Sequence, residues 1–264
     1  MNVARQNPGP PRRTSGPPAA TGPAGAGEPL DPYDRTTLNA VFHGAVDRFA
    51  EAPALRWRKG SGWSELSYGD AADRVARIAG WLVDRGVRPG DRLGILSENR
   101  PEWTLFDYAA LALGAVTVPV YPTLPPDQVA YILEDAGARG IVVSSAEQLA
   151  KLRVAGDGPW TPEWIVLLDE GETPDGSVFP WERLVGHEPL PDLRQRASRV
   201  RPDDLATLVY SSGTTGPPKG VMLSHGNLAY MVAATAQHGS VAVAAGDVCL
   251  SILPLSHVFE RAAA

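Results

Sequence analysis

The sequence predicts an α/β fold, a mostly parallel sheet flanked by helices, beginning near Asp31. Three observations predict it. Short stretches such as "RLGILS", "AVTVPVY" and "GIVVSS" are apolar at successive positions, so a strand made from them must be covered on both faces. Stretches with helical spacing alternate with them, the pattern of strands joined by crossover helices. Capping residues and glycines fall at the joints between the two kinds of segment.

The first ordered element is a helix over "TTLNAVFHGAVDRFAE". Leu38, Val41, Phe42, Ala45, Val46 and Phe49 recur at its spacing, and Thr36 or Thr37 is its N-cap. "ALRWR", the turn "KGSG" and "WSELSY" form a hairpin. "GDAADRVARIAGWLVDRG" is a second amphipathic helix, with Val75, Ile78, Ala79, Leu82 and Val83 on one face and Gly86 at its C-terminal end. Strand "RLGILS" follows, and Asn99 and Pro101 open the helix "PEWTLFDYAALALG". The alternation continues through strand "AVTVPVY", helix "PPDQVAYILEDAG", strand "GIVVSS", helix "AEQLAKLR" and strand "WIVLL". Residues 170–204 read as a loop-rich bridge toward a second lobe, with short helical pieces at "WERLV" and "DLRQRAS". Strand "DLATLVY" comes next, and beyond the loop that follows it lie strand "VML" and a helix starting around Ser224 to Asn227. His225 and Asn227 read as its capping residues. "SILPL" reads as a further strand ending near His257, with Cys249 a small buried side chain leading into it.

Composition narrows the function. The chain has 264 residues, 44% apolar and 20% charged, as expected of a globular protein. Its formal net charge of −6 leaves no global positive field for nucleic acid, so any bound anion must be held by local donors. The lone Cys249 forbids an intramolecular disulfide and suits a reducing, cytoplasmic setting. His43, His187, His225, His238 and His257 do not fall at metal-ligand spacing. No apolar run is long enough to span a bilayer. Residues 1–30, rich in Pro, Gly and Ala, read as a disordered tail that buries too little to offset its ordering entropy.

The chemistry concentrates in "YSSGTTGPPKG", Tyr210 to Gly220. Gly213, Gly216 and Gly220 permit positive φ and close backbone approach, so successive N–H groups can converge on one anion. Ser211, Ser212, Thr214 and Thr215 add hydroxyl donors. Pro217 and Pro218 stiffen the loop, and Lys219 supplies a point charge suited to a polyphosphate. The setting is strand–loop–strand, and Gly220 follows Lys219 where the Walker loop needs Ser or Thr, so this is not a Walker P-loop. A plain surface turn uses the same residue types, but it needs neither four hydroxyls nor a lysine at its exit.

"LVYSSGTTGPPKGVMLSHGNL" closely resembles the phosphate-binding signature of the AMP-forming, adenylate-forming ligases. "ILSENRPEW", "GAVTVPVYPT" and "LPLSHVFER" are similar to segments of their long-chain fatty acid–CoA ligase branch. The resemblance implies that residues 31–264 are the N-terminal part of an AMP-binding domain with the acyl-CoA synthetase-like fold. That part stops before the family's adenine-binding motif and C-terminal lid. It implies ATP, Mg²⁺ and coenzyme A as cofactor and co-substrates and a fatty acid as substrate, which is activated to an acyl-adenylate and then to acyl-CoA. Thr214, Thr215, Lys219 and the loop amides would hold the β- and γ-phosphates, and Ser211 would help ligate Mg²⁺. His257 matches a family histidine near the carboxylate and acyl channel; a histidine satisfied by neighbouring backbone is the competing reading. Two alternatives stay open for the chain: a non-catalytic fragment, inactive alone, or adenylation of another carboxylic acid. A long-chain substrate favours peripheral membrane contact, although no basic amphipathic helix is present.

Overall fold

The computed structural model describes residues 36–154, 160–170, 177–211, 217–238 and 246–263. The tail at 1–30 and loop residues 212–216 therefore lie outside the described residues. The chain first forms α1 (Leu38–Phe49), the hairpin β1 (Pro53–Lys59) and β2 (Gly62–Ser67), and α2 (Tyr68–Asp84). The alternation then runs β3 (Arg92–Leu96), α3 (Pro101–Ala112), β4 (Val116–Val120), α4 (Pro126–Asp135), β5 (Gly140–Val143), α5 (Ala146–Val154) and β6 (Trp164–Leu167). After β6 come β7 (Val178–Pro180), α6 (Trp181–Val185), α7 (Leu193–Ala197), β8 (Leu205–Ser211), β9 (Lys219–Ser224), α8 (His225–His238) and α9 (Val258–Ala263).

The large sheet has the order β7-β6-β5-β3-β4-β8-β9. All its neighbours are parallel except β8 and β9, which pair antiparallel. The mostly parallel sheet predicted from the apolar runs is thus present. So is the hairpin, whose strands meet Lys59 to Gly62 with Gly60 at φ +59° in the turn. Side-chain alternation splits the core between the two faces. Val142 of β5 packs with α2, α3 and α6, while its neighbours Ile141 and Val143 pack with α4 and α5. A smaller cluster of Leu38, Leu111, Ala206 and Leu228 joins α1, α3, β8 and α8.

Capping follows ordinary rules at two helices. Thr37, not Thr36, caps α1 by accepting from the Ala40 N–H at 3.1 Å, and Ser67 caps α2 by accepting from the Asp70 N–H at 3.0 Å. Val75, Ile78, Ala79 and Leu82 of α2 are buried as expected, but Val83 is only half-buried and Trp81 enters the core instead.

Four expectations need correction. The segment after residue 170 does not bridge to a second lobe: β7 extends the sheet at one edge, and β8 returns to the same sheet beside β4. Pro101 opens α3, but Asn99 does not cap it; the N-cap is Arg100, without a side-chain bond, and Asn99 bonds elsewhere. "SILPL" is not a strand. An apolar run becomes a strand only where a neighbouring strand satisfies its backbone, and here side chains do that work instead. Val248, Leu250 and Ile252 are 72%, 75% and 76% exposed, and Cys249 is exposed rather than buried.

Candidate functional site

The site begins where β8 and β9 close around the polar loop. Their register sets Ser211 opposite Lys219 and Tyr210 opposite Gly220. Directly opposed residues of an antiparallel pair project to the same face, so the Ser211 hydroxyl and the Lys219 ammonium stand together at the loop's mouth. Both residues are exposed. The five residues between them and the prolines, Ser212, Gly213, Thr214, Thr215 and Gly216, lie outside the described residues. Pro217 and Pro218 sit just before β9, where a residue without an N–H cannot extend the ladder, so pairing starts at Lys219.

Gly220 has a different reason from the one the sequence suggested. It does not adopt positive φ; it lies in β9, and a Cβ there would come 3.1 Å from Cζ of the Tyr210 ring. A side chain there would need the phenol, which crosses over it, to shift by a few tenths of an ångström. Tyr210 is buried and donates its hydroxyl to Asp135 at 2.6 Å, tying the start of the loop to the end of α4. Burial, and then the Asp135 carboxylate, push the Tyr210 phenol well above its ordinary pKa, so it stays a donor.

His257 comes from a separate segment, one residue before α9. Its backbone N–H donates to Pro254 at 2.8 Å, and its carbonyl accepts from Arg261 at 3.2 Å. Its side chain is exposed. The approach to His257 is held by Asn99, whose Nδ2 donates to the Leu253 carbonyl at 2.7 Å and to the Ser251 hydroxyl at 2.9 Å. The same amide's oxygen accepts from the Leu255 N–H at 2.7 Å. Behind His257, Arg261 makes a two-pronged ion pair with Asp107 at 2.7 and 2.9 Å and donates to the Thr117 hydroxyl at 3.0 Å. Both partners' side chains are only 6% exposed. Burial pushes the Asp107 carboxyl up, and the Arg261 guanidinium and Thr117 hydroxyl pull it back.

His225 is not a cap. Ser224 and Asn227 form the reciprocal cap of α8, with bonds of 3.0 and 3.2 Å, and Asn227 fulfils its expected role. The His225 ring is fully buried, and neither ring nitrogen has a hydrogen-bond partner among the described residues. Burial lowers its pKa to about 4, helped by the Arg261 charge and opposed by Asp204. Sequence reading missed Asn99, Asp107 and Arg261, whose partners lie far away along the chain. The one signal was Asp107, a charged residue inside the otherwise apolar helical run "LFDYAALA".

Together these features define a class: a doubly wound α/β protein whose antiparallel edge pair is joined by a stretch of sequence rich in glycine and hydroxyl residues. The particular family follows from comparison. The sequence model of the AMP-binding enzyme family matches residues 42–264, and the chain belongs to that family. It is similar to the long-chain-fatty-acid–CoA ligase heimdall of Drosophila melanogaster, 33% identical over 234 residues, with 84% of this chain and 34% of the relative covered. It is also similar to the long-chain-fatty-acid–CoA ligase FadD15 of Mycobacterium tuberculosis, 36% identical over 203 residues, covering 76% and 33%. Among solved structures it resembles the anthranilate CoA ligase AuaEII in complex with anthranoyl-AMP. That match has a TM-score of 0.66 at 26% identity and covers 77% of this chain and 37% of that one. The chain thus spans about a third of the length of the curated relatives it matches.

Proposed function

We propose that this chain is the phosphate-gripping and acid-side portion of an AMP-forming fatty acid–CoA ligase. In the reading proposed, a fatty acid carboxylate attacks the α-phosphorus of ATP, pyrophosphate leaves, and coenzyme A then takes the acyl group as a thioester and releases AMP. The observation that carries this is the register of β8 and β9, which sets Ser211 and Lys219 face to face at the ends of the polar loop. Carboxylate and triphosphate repel each other, so the reaction needs donors aimed at the phosphates where charge builds up. Ser211, Ser212, Thr214 and Thr215 supply hydroxyls, and Gly213 and Gly216 let the backbone come close. Pro218 fixes the exit, and Lys219 supplies the full charge that the departing pyrophosphate needs. His257 stands on the acid side. The relatives' names as long-chain ligases favour a long acyl chain, and such a chain would be collected at a membrane surface. No helix among the described residues is long and apolar enough to cross one.

Magnesium fits the described residues poorly. They contain no group of three or more His, Cys, Asp or Glu side chains able to hold a metal. The Ser211 hydroxyl alone offers one oxygen where Mg²⁺ needs six ligands, so the ion would enter already bound to the triphosphate.

The loop can be tested on this chain directly. Titration with inorganic triphosphate should show binding that Lys219→Ala weakens about tenfold or more, the loss of one charge-assisted contact. Equal affinity in the two proteins would overturn the assignment. Substrate class is tested by acid-dependent ATP–pyrophosphate exchange in a chain extended to the length of its relatives. Exchange should be driven by long-chain fatty acids and not by amino acids.

A further inference from the structure

The segment from Ser251 to His257 has no strand neighbour among the described residues, yet it follows a defined path. We infer that Asn99, together with the Arg261–Asp107 pair, forms a clasp that positions His257. This rests on the reading of His257 as the acid-side residue. The physical case starts from what the segment lacks. Val248, Leu250, Ile252 and Leu253 are 72%, 75%, 76% and 45% exposed, so apolar burial holds the stretch only at Leu255, which reaches the core at 7% exposed. Its backbone is fastened by side chains instead.

On the near side of His257, Asn99 uses both ends of its amide. It donates to Ser251 and Leu253 and accepts from Leu255, all within 2.9 Å, so the segment is gripped at three alternate residues. Glu260 adds a fourth bond by accepting from the Leu253 N–H at 3.3 Å. On the far side, Arg261 is locked to Asp107 of α3 and Thr117 of β4. The Arg261 guanidinium also lies over the Trp103 ring at 5.7 Å. The planar fork of arginine fixes direction as well as distance, which a lysine ammonium would not. His257 lies between these two anchors, and both are set by the rigid β3–α3–β4 unit. Asn99 follows β3, Asp107 is within α3, and Thr117 is in β4. The imidazole's position is therefore tied to the packed sheet, although the stretch up to Pro254 and His257 itself are exposed. Asn99, Asp107 and Arg261 are positioning residues; nothing requires them to touch substrate.

The test uses this 264-residue chain labelled at the histidine ring carbons, with the His257 line identified by its loss in His257→Gln. In Asn99→Ala the His257 line should move and broaden as its segment gains freedom, and Leu255 amide exchange should speed up about tenfold. The His43 and His187 lines, remote from the clasp, should hold still. Asn99→Asp keeps the acceptor for Leu255 but turns a carboxylate oxygen toward the Leu253 carbonyl in place of the donor, so it should also move the His257 line. Arg261→Lys keeps the charge without the fork and should also move the His257 line. An unmoved line in Asn99→Ala and Arg261→Lys would overturn the clasp. A change spread equally over all histidines, or loss of folding in Asn99→Ala, would also overturn it, because either would make Asn99 a residue of the fold at large. Failure of the underlying reading looks different. If His257→Ala left acid activation unchanged in an extended enzyme while the spectra moved as expected, the acid-side role would fall and the clasp would stand.

Discussion

Two parts of one sheet are built on different principles. Strands β3, β4 and β5 are buried along almost their whole length, whereas no residue of β9 is fully buried. The central strands are fixed by shape: each side chain enters a core already filled by helices on both faces. The outer pair β8–β9 is fixed by its register, and the segment beyond α8 is fixed by individual polar bonds with Leu255 as its anchor in the core. The buried half therefore has little freedom, while the other half leaves its faces open where Ser211, Lys219 and His257 stand. The comparison places rigidity under the site and exposure at it.

The largest effect is expected where shape alone decides. Gly140 of β5 pairs with Trp164 of β6, and a Cβ at Gly140 would lie 2.2 Å from the indole. Trp164 cannot retreat, since it is 2% exposed and meets Trp81 edge-on at 5.3 Å. Gly140→Ala should therefore lower stability by about 3 kcal/mol, read from the urea midpoint. A loss below about 0.5 kcal/mol would show that the centre of the sheet is as yielding as its edge, and the contrast would collapse.

The second effect sits in the polar half and depends on pH. His225 has a folded pKa of about 4 against an ordinary 6.5, because its buried ring is held neutral. A depressed pKa means that the unfolded chain binds the proton first. The contribution to stability is complete above pH 6.5 and is lost as pH falls toward 4. At about 1.4 kcal/mol per pH unit, the native protein should lose about 3 kcal/mol from this group across that window. His225→Phe fills the same space without a titrating nitrogen and should remove that part of the slope. Parallel acid melting curves for the two proteins would mean that His225 meets the proton with a partner, and that this half is not built as described.

How much of this was legible in the sequence follows the same division. The strands "RLGILS", "AVTVPVY", "GIVVSS" and "WIVLL" could be read because unbroken apolar runs signal burial on both faces without knowledge of any partner. The loop could be read because its glycines, hydroxyls and lysine are contiguous between two strands, and the structure brings Ser211 and Lys219 together. "SILPL" was misread by the same logic, because apolar content cannot reveal whether a ladder partner exists. Val178–Pro180 was missed because three residues ending in proline carry almost no strand signal. Asn99 and Arg261 were illegible for a further reason. Their partners Leu255 and Asp107 are 156 and 154 residues away, and a single hydrogen bond over such a span leaves no periodic trace. The glycine at 220 was legible as notable but not for the right cause, since the Tyr210 ring that crowds it is visible only across the register.

The smallest effect is expected on β9, where the contrast can be sharpened rather than broken. Met222 is 69% exposed and Val221 46%, on the strand that ends the sheet among the described residues. A flat edge with apolar side chains and unpaired backbone groups is a template for pairing with another chain. Met222→Lys removes little packing, because the side chain has little to lose, so stability should change by no more than about 0.5 kcal/mol. The charge should nevertheless suppress self-association, measured as a fall in concentration-dependent light scattering. If Met222→Lys instead cost as much as Gly140→Ala, β9 would be packed against something in the native protein. If it left association unchanged, the exposed stretch around Leu250 and Ile252 would be the surface that drives it, and Ile252→Lys would have to lower the scattering where Met222→Lys had not.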